Sequence, residues 1–264
     1  MLDRDERGRV RVEQKGPVSW ITIDNVAKRN AVSLAMWREL DATIQSIEAG
    51  TRCVVLQGAG EQAFVAGADI SEFSRSRRAP ADVAEYDAAA GSAFRRLQEL
   101  PQPTVALIRG HCIGGGVALA LSCDIRLASD DSRFAIPAAR LGLGYSVDGI
   151  KKLLDAVSVP VAMDMLVSAR PYSAPEALAV GLVNRVYPAD QLASEVDDYV
   201  TAVAANAPLT IRAAKRTISE LSKQSPGPDR ELCERLIAEC SASADYLEGT
   251  RSFVEKRRPD FLGR

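Results

Sequence analysis

The chain has 264 residues, of which 47% are hydrophobic and 26% are charged, a balance typical of globular proteins with a large apolar core. Its 33 basic and 35 acidic residues give a formal net charge of -2, so it lacks the basic excess that binding to nucleic-acid phosphates rewards. The length favours one α/β domain with an appended segment over two full domains.

The opening segment and the apolar stretches bear on the location of the protein. MLDRDERGR is too charged for a secretion signal, and we expect its first eight or so residues to be frayed. The longest apolar stretch, residues 112–123, is shorter than the roughly 20 residues that a membrane span needs. We therefore expect a cytoplasmic protein that contacts neither membrane nor nucleic acid. Its five cysteines form no CxxC pair, which indicates reduced thiols in the core.

The first half of the chain alternates strands with helices. Runs of β-branched and aliphatic residues predict strands at 18–23, 53–58, 104–110 and 123–129. Apolar residues at helical spacing predict helices at 33–49, 82–100 and 115–121. Because parallel strands need long crossover connections, this alternation predicts an α/β fold with a parallel sheet.

The second half is predominantly helical. Ser173 and Glu176 form a capping box, and Gly181 is the expected stop for the helix that this box begins. One more strand is predicted at 182–187, followed by helices at 190–206, 208–221 and 229–246. The pattern predicts a core at residues 1–195 and a C-terminal helical region at residues 196–264.

Several familiar motifs fail on inspection. The segment Gly58–Ala63 follows a strand and fits GxGxxA, but no helix follows it directly, so a plain loop is favoured over a dinucleotide site. The segment Gly144–Gly149 places its second glycine one residue too late for the GxSxG turn of serine hydrolases. His111 is the single histidine, and a packed structural role is favoured over a metal site.

Two glycine-bearing segments remain, Phe64–Ile70 (FVAGADI) and Gly110–Val117 (GHCIGGGV). Consecutive glycines at a strand-to-helix junction allow a ligand to approach the backbone, although glycine also permits close packing of helices. Together with KRNA at 28–31, ALAVGLVNRV at 177–186 and the closing SFVEKRRPDF, these segments resemble the crotonase superfamily, the enoyl-CoA hydratase and isomerase family. The resemblance covers nearly the whole chain.

The resemblance implies a spiral of ββα units with a C-terminal helical region that assembles as a homotrimer or a dimer of trimers. It also implies an acyl-CoA thioester substrate, with no cofactor beyond the CoA moiety of that substrate. By motif, the backbone N–H groups of Ala68 and Gly115 would stabilise an enolate oxygen. By similarity, the CoA would lie near Lys28 and along Ala66, Asp69 and Ile70. Phe253 and Lys256 would reach the CoA of a neighbouring subunit.

This sequence departs from the family pattern at two positions. Hydratases of the family use a pair of glutamates, and alanine stands at both positions here, Ala118 and Ala138. Alanine cannot exchange protons, so hydration by the usual pair is unavailable. The loop from 141 to 149 resembles the methylmalonyl-CoA decarboxylase branch at Tyr145, although that branch has a histidine where Ala68 stands.

The remaining polar candidates are Tyr145, Ser146 and Asp148, and Asp148 is open to a second interpretation as a helix N-cap or turn residue. Arg140 either pairs with a substrate carboxylate or lies at the surface. We expect an enzyme that forms an oxyanion-stabilised enolate, and a lyase acting on a malonyl-type or unusual enoyl-CoA is favoured over a standard hydratase. The alternatives are a hydratase with a substituted acid/base residue, a CoA-thioester-binding protein without catalysis, and, more distantly, an oxidoreductase.

Overall fold

The computed structural model describes residues 8–69, 80–223 and 227–264. Its largest sheet has six strands, which are in spatial order β1 (Arg9–Lys15), β2 (Val18–Asp24), β3 (Cys53–Gly58), β5 (Thr104–Ile108), β7 (Ile125–Ser129) and β10 (Arg185–Tyr187). Strands β1 and β2 pair antiparallel, and the remaining neighbours pair parallel, as the alternating sequence pattern predicted.

A second sheet has four short strands in the order β4, β6, β8, β9. Strands β4, β6 and β8 pair parallel, and β9 pairs antiparallel with β8. These strands are β4 (Ala63–Val65), β6 (His111–Ile113), β8 (Arg133–Ala135) and β9 (Tyr172–Ser173). The sequence did not reveal this sheet, because two or three residues are too few to show an alternating pattern.

Ten α-helices lie in the described part of the chain. They are α1 (Leu34–Gln45), α2 (Pro80–Glu99), α3 (Gly115–Ala120), α4 (Val147–Ala156), α5 (Val159–Ser168), α6 (Ala174–Ala179), α7 (Leu192–Ala204), α8 (Pro208–Leu221), α9 (Arg230–Ser241) and α10 (Ala244–Glu255). None of them is long and apolar enough to cross a bilayer.

Two sequence predictions about elements were wrong in detail, and one strand was not predicted. The strand without a prediction is β1, which begins at Arg9. The single helix predicted at 229–246 is two helices, because the Ser243 side chain accepts a hydrogen bond from the Tyr246 amide and begins a new helix. The strand predicted at 182–187 is paired only from Arg185 to Tyr187. The capping box of Ser173 and Glu176 is confirmed.

The six-stranded sheet separates two apolar cores. On one face, Trp20, Val55 and Leu107 pack against Leu192 and other buried residues of α7. On the other face, Ile21, Leu56 and Ala106 belong to a larger core that also includes residues of the second sheet and of α1 and α2. The second sheet, from which the glycine-bearing segments emerge, is therefore held in this larger core by Phe64, Cys112 and Phe134.

The predicted boundary between residues 195 and 196 falls inside α7. Helices α8, α9 and α10 follow it and carry several exposed apolar side chains, among them Ile218, Leu247, Phe253 and Val254. The cysteines carry free thiols, and four of the five are buried, as predicted. Gly58–Ala63 forms part of β3, the connection to β4 and the first residue of β4, so the dinucleotide site is not formed there.

Candidate active site

A cavity of about 470 Å³ lies between the second sheet, α1, α2 and the start of α4. Its lining includes four short segments, Ala66–Ala68, Ile113–Gly115, Ile136–Ala138 and Leu143–Asp148, together with side chains of α1 and α2. The two glycine-bearing segments therefore meet at one place, although about 45 residues separate them in the sequence. The lining is mostly apolar with a few polar side chains, which is typical of pockets for organic ligands.

The segment after β4 carries Ala68 to the wall of this cavity. The Val32 N–H donates to the Gly67 carbonyl oxygen at 2.8 Å, and the Asp69 N–H donates to the Val32 carbonyl oxygen at 3.1 Å. These hydrogen bonds occupy the Gly67 carbonyl oxygen and the Asp69 N–H, which precede and follow the Ala68 N–H along the backbone. Among the residues that the structure describes, the Ala68 N–H donates to no protein acceptor. Its predicted role toward a ligand stays a prediction.

The second predicted donor is the N–H of Gly115, at the first position of α3. Amides in the first turn of a helix have no acceptor within that helix. Gly114 turns the chain from β6 into α3 with φ 56° and ψ -112°, a conformation that favours glycine. A Cβ atom added to Gly67 would lie 3.9 Å from the Gly115 nitrogen, so the two donor segments are in contact.

Gly116 has a different role from Gly115. A Cβ atom at Gly116 would lie 2.2 Å from the Val65 carbonyl oxygen, whereas a Cβ atom at Gly115 would meet only the Trp37 ring, at 3.8 Å. The close-packing interpretation of the glycine run therefore holds for Gly116, which allows α3 to pack tightly against β4. Gly115 lines the cavity, and its role toward a ligand stays a prediction.

Both positions of the missing glutamates face this cavity. Ala118 lies on α3, and Ala138 lies in the 3₁₀ turn Pro137–Leu141. Two methyl groups therefore stand where the family pattern would supply carboxyl groups. The carboxylates that line the cavity within the described residues are Asp87 and Asp148.

Tyr145 and Asp148 both line the cavity. The Tyr145 hydroxyl donates to the Gly114 carbonyl oxygen at 3.3 Å, and burial raises the pKa of this phenol well above its usual value. Asp148 is exposed and lies in the first turn of α4. Ser146, not Asp148, is the N-cap of this helix, because its hydroxyl accepts a hydrogen bond from the Gly149 amide at 3.1 Å.

Aromatic residues of α1 and α2 form the wall opposite this loop. The Trp37 ring packs edge-to-face against Tyr86, at 6.4 Å, and against Phe94, at 5.1 Å. Its indole nitrogen is buried and has no hydrogen-bond acceptor among the described residues. Sequence reasoning missed these residues. Helical spacing placed them on buried faces, but nothing in the sequence showed that two of those faces meet at a ligand cavity.

Lys28 and Asp69 form an ion pair with Nζ and Oδ2 2.6 Å apart. Asp69 is only 6% exposed, whereas the Lys28 side chain is 46% exposed. Both lie beside the Ala66–Ala68 segment, and their predicted contact with CoA stays a prediction. Ile70 lies outside the described residues. The Ala66 N–H donates to the Arg29 carbonyl oxygen at 3.1 Å, which links this segment to the chain after Lys28.

Four other residues considered in the sequence lie away from the cavity lining. Phe253, on α10, is 86% exposed, and Lys256 ends this helix in a left-handed conformation. Their predicted contact with the CoA of a neighbouring subunit stays a prediction. Arg140 is exposed and is not among the lining residues. His111 lies in β6, and no group of three or more metal-ligating side chains occurs in the described ranges.

The chain is similar to known proteins in both sequence and structure. The family model described as enoyl-CoA hydratase/isomerase matches residues 13–264. The chain is 31% identical to the short-chain-enoyl-CoA hydratase of Clostridium acetobutylicum over 96% of this chain and 97% of that protein. It is 28% identical to the 2,3-dehydroadipyl-CoA hydratase of Escherichia coli, over 96% and 98%. The structure of an enoyl-CoA hydratase/carnithine racemase from Magnetospirillum magneticum superposes with a TM-score of 0.92 at 33% identity, covering 97% and 96% of the two chains.

Proposed function

Because the chain belongs to the enoyl-CoA hydratase/isomerase family of the crotonase superfamily, we propose that it forms an enolate from an acyl-CoA thioester in the cavity described above. The thioester carbonyl oxygen would accept hydrogen bonds from the Ala68 and Gly115 amides. These donors are fixed before the ligand binds, so they stabilise the charge that develops on that oxygen in the transition state. A donor of this kind contributes roughly a hundred- to a thousandfold in rate.

The observation that carries the proposal is the position of Ala118 and Ala138 on the wall of this cavity. A site without these two carboxyl groups suits a reaction that reaches the enolate without removing a proton. We propose a lyase acting on a malonyl-type or unusual enoyl-CoA. In the malonyl case, the bond from the α-carbon to the carboxylate breaks and CO₂ leaves. The electron pair passes to the thioester enolate, which then takes one proton at the α-carbon.

Tyr145 and Asp148 have different roles in the proposed reaction. The raised pKa of Tyr145 makes its phenol a weaker acid than an ordinary tyrosine, and its hydroxyl already donates to the Gly114 carbonyl oxygen. We assign it the positioning of the Gly114–Gly115 peptide. Asp148 is exposed to solvent and reaches the cavity, so we assign it the relay of a proton from water to the α-carbon.

The CoA moiety would lie along Ala66, Asp69 and Ile70 with Lys28 beside it. The exposed Phe253 and Lys256 would contact the CoA of a neighbouring subunit in a homotrimer or dimer of trimers. The apolar side chains exposed on α8 and α10 support such an assembly, because large exposed apolar patches mark interaction surfaces. We propose a cytoplasmic location and no cofactor beyond the CoA of the substrate.

The test is mass-spectrometric turnover of the purified protein with methylmalonyl-CoA and crotonyl-CoA. We expect loss of CO₂ from the first and little hydration of the second.

Gly115→Pro removes the donor N–H, and Gly115→Ala adds a side chain but keeps that N–H. We expect at least a hundredfold loss of turnover for the proline variant only. Full turnover by Gly115→Pro would contradict the oxyanion role.

A second candidate is a hydratase with a substituted acid/base residue. It is favoured by the carboxylates of Asp87 and Asp148 at the cavity and by relatives that are named hydratases. Rapid hydration of crotonyl-CoA that is lost in Asp148→Asn would establish it. Tight binding of CoA thioesters without any turnover would instead indicate a binding protein that has lost catalysis.

A further inference from the structure

A guanidinium group lies against the part of helix α2 that lines the cavity. Gly91, in the interior of this helix, is a lining residue. A Cβ atom at Gly91 would stand 3.3 Å from Nη1 of Arg95, one turn further along. The Arg95 side chain is exposed and outside the lining, and it points back over Gly91 as long side chains of helices do. A positive charge therefore borders the cavity at this point.

A second cation, Lys152 of α4, lies beside the same wall. Its Nζ is 6.0 Å from the centroid of the Phe94 ring, and Phe94 is the next lining residue after Gly91 along α2. Burial lowers the pKa of Lys152 to about 8, and the charge of Arg95 acts in the same direction. The two cations, which come from different helices, are therefore close enough to repel each other.

Neither cation is neutralised by an ion pair within the described ranges. The Arg95 guanidinium has no carboxylate at ion-pair distance, and the Lys152 ammonium donates to the neutral Oε1 of Gln98. Asp148 and Asp155 attract Lys152 without forming an ion pair with it. Because like charges held together destabilise the protein, an anionic group bound between Arg95 and Lys152 would stabilise this arrangement.

The contacts between the donor amides and the cations indicate which part of a ligand the cations would meet. A Cβ atom at Gly115 would lie 3.8 Å from the Trp37 ring, and this ring packs against that of Phe94 at 5.1 Å. Lys152 lies over the Phe94 ring. Two aromatic rings therefore stand between the donors and the cations. An anionic group would have to be several carbons away from a thioester held at Gly115.

We infer that Arg95 and Lys152 bind a carboxylate at the far end of the acyl group, so the protein acts on acyl-CoA thioesters whose chain ends in a carboxylate. The planar guanidinium can donate two parallel hydrogen bonds to a carboxylate, and the ammonium adds a second charge. The inference rests on the proposed function, because Ala68 and Gly115 have to hold the thioester for the chain to pass the two rings. It adds a charged end to the proposed substrate.

The test compares the binding of adipoyl-CoA and hexanoyl-CoA, whose acyl chains have equal length and end in a carboxylate and a methyl group. Both chains are saturated, and neither can undergo the proposed reaction. Dissociation constants are measured by calorimetry at pH 7 for the unchanged protein, Arg95→Met, Lys152→Met and Lys151→Met. Lys151 is exposed on the same helix and pairs with Asp155, so its variant is a matched control for the loss of one positive charge.

We expect the unchanged protein and Lys151→Met to bind adipoyl-CoA roughly tenfold or more tightly than hexanoyl-CoA, since hydrogen bonds between charged groups are strong. Arg95→Met and Lys152→Met should each lower this preference about threefold or more, with little change in the affinity for hexanoyl-CoA. Melting temperatures show whether each variant is folded.

Three results would overturn the inference alone. They are no preference in the unchanged protein, a preference that neither Arg95→Met nor Lys152→Met lowers, and an equal loss of preference in Lys151→Met. Failure of both thioesters to bind the unchanged protein would overturn the proposed function with it.

Discussion

The Tyr145 hydroxyl donates to the carbonyl oxygen of Gly114, which belongs to the same peptide unit as the N–H of Gly115. A hydrogen bond to the oxygen of a peptide polarises it and strengthens the N–H as a donor. In the proposed reaction, Tyr145 would therefore act on the oxyanion donor through one peptide group.

We predict that Tyr145→Phe lowers kcat about threefold to fivefold and leaves KM nearly unchanged. At 3.3 Å the hydrogen bond is long, so its loss corresponds to about 0.5–1 kcal/mol. Steady-state kinetics on the best thioester of the panel provides the measurement. A loss of more than a hundredfold, with a pH profile that changes shape, would show that Tyr145 itself delivers the proton.

Restoring both carboxyl groups gives a second prediction. The double variant Ala118→Glu with Ala138→Glu is expected to raise the rate of crotonyl-CoA hydration at least tenfold, because general acid/base catalysis contributes a hundredfold or more when it is well aligned. The matched control is the double glutamine variant, which has similar volume and cannot exchange protons. Equal hydration rates in both double variants would show that the cavity does not hold the substrate as proposed.

The two adjacent glycines of α3 should differ in stability when replaced. Gly116→Ala forces a Cβ atom to 2.2 Å from the Val65 carbonyl oxygen, and we expect a loss of about 3 kcal/mol in the free energy of unfolding. Gly115→Ala meets only the Trp37 ring at 3.8 Å, so its change should stay within about 1 kcal/mol. Denaturant unfolding of both variants compares them directly, and similar losses would contradict the packing role of Gly116.

Lys152 provides a prediction about pH. Burial lowers the pKa of Lys152 to about 8, although the nearby carboxylates of Asp148 and Asp155 act in the opposite direction. The unfolded chain, with a pKa near 10.5, binds more protons at this residue between pH 8 and 10.5. Stability contributed by this group therefore rises with pH through that window, and below pH 8 the cost of burying the ammonium is fully present.

We expect Lys152→Met to raise the melting temperature at pH 7, and we expect the difference from the unchanged protein to shrink between pH 8 and 10. Lys151→Met is a suitable control, because Lys151 is exposed on the same helix. Thermal unfolding at five pH values would test this. A gain from Lys152→Met that stays constant with pH would show that the added apolar surface, not the charge, is responsible.

The sequence predicted the elements whose signals are local. Helix α3 at Gly115 and the capping box at Ser173 each depend on residues near one another in the sequence, and both are confirmed. The alternation of strands with helices is also a local pattern, and the parallel pairing that it predicted is confirmed. The predicted donors Ala68 and Gly115 lie at the cavity with the two alanines, although their catalytic roles remain a prediction.

Features that depend on distant contacts could not be predicted in this way. The four-stranded sheet brings together strands from Ala63 to Ser173, and no single strand exceeds three residues. The Lys28–Asp69 ion pair joins residues 41 positions apart, and the contact of Trp37 with Phe94 joins two helices. Amphipathic spacing shows which face of a helix is buried, but it does not show which other helix or strand that face contacts.

The two sides of the cavity are anchored very differently. On the donor side, Val65 and Cys112 are fully buried in paired strands. On the other side, Leu141 and Leu143 are exposed, and the loop is tied back by the hydrogen bond from the Leu143 amide to the Ala138 carbonyl oxygen and by the Tyr145 contact. Amide hydrogens of this loop should therefore exchange with solvent much faster than those of β4 and β6. Entry and release of ligand through local opening of the loop would then leave the donor amides undisturbed between turnovers.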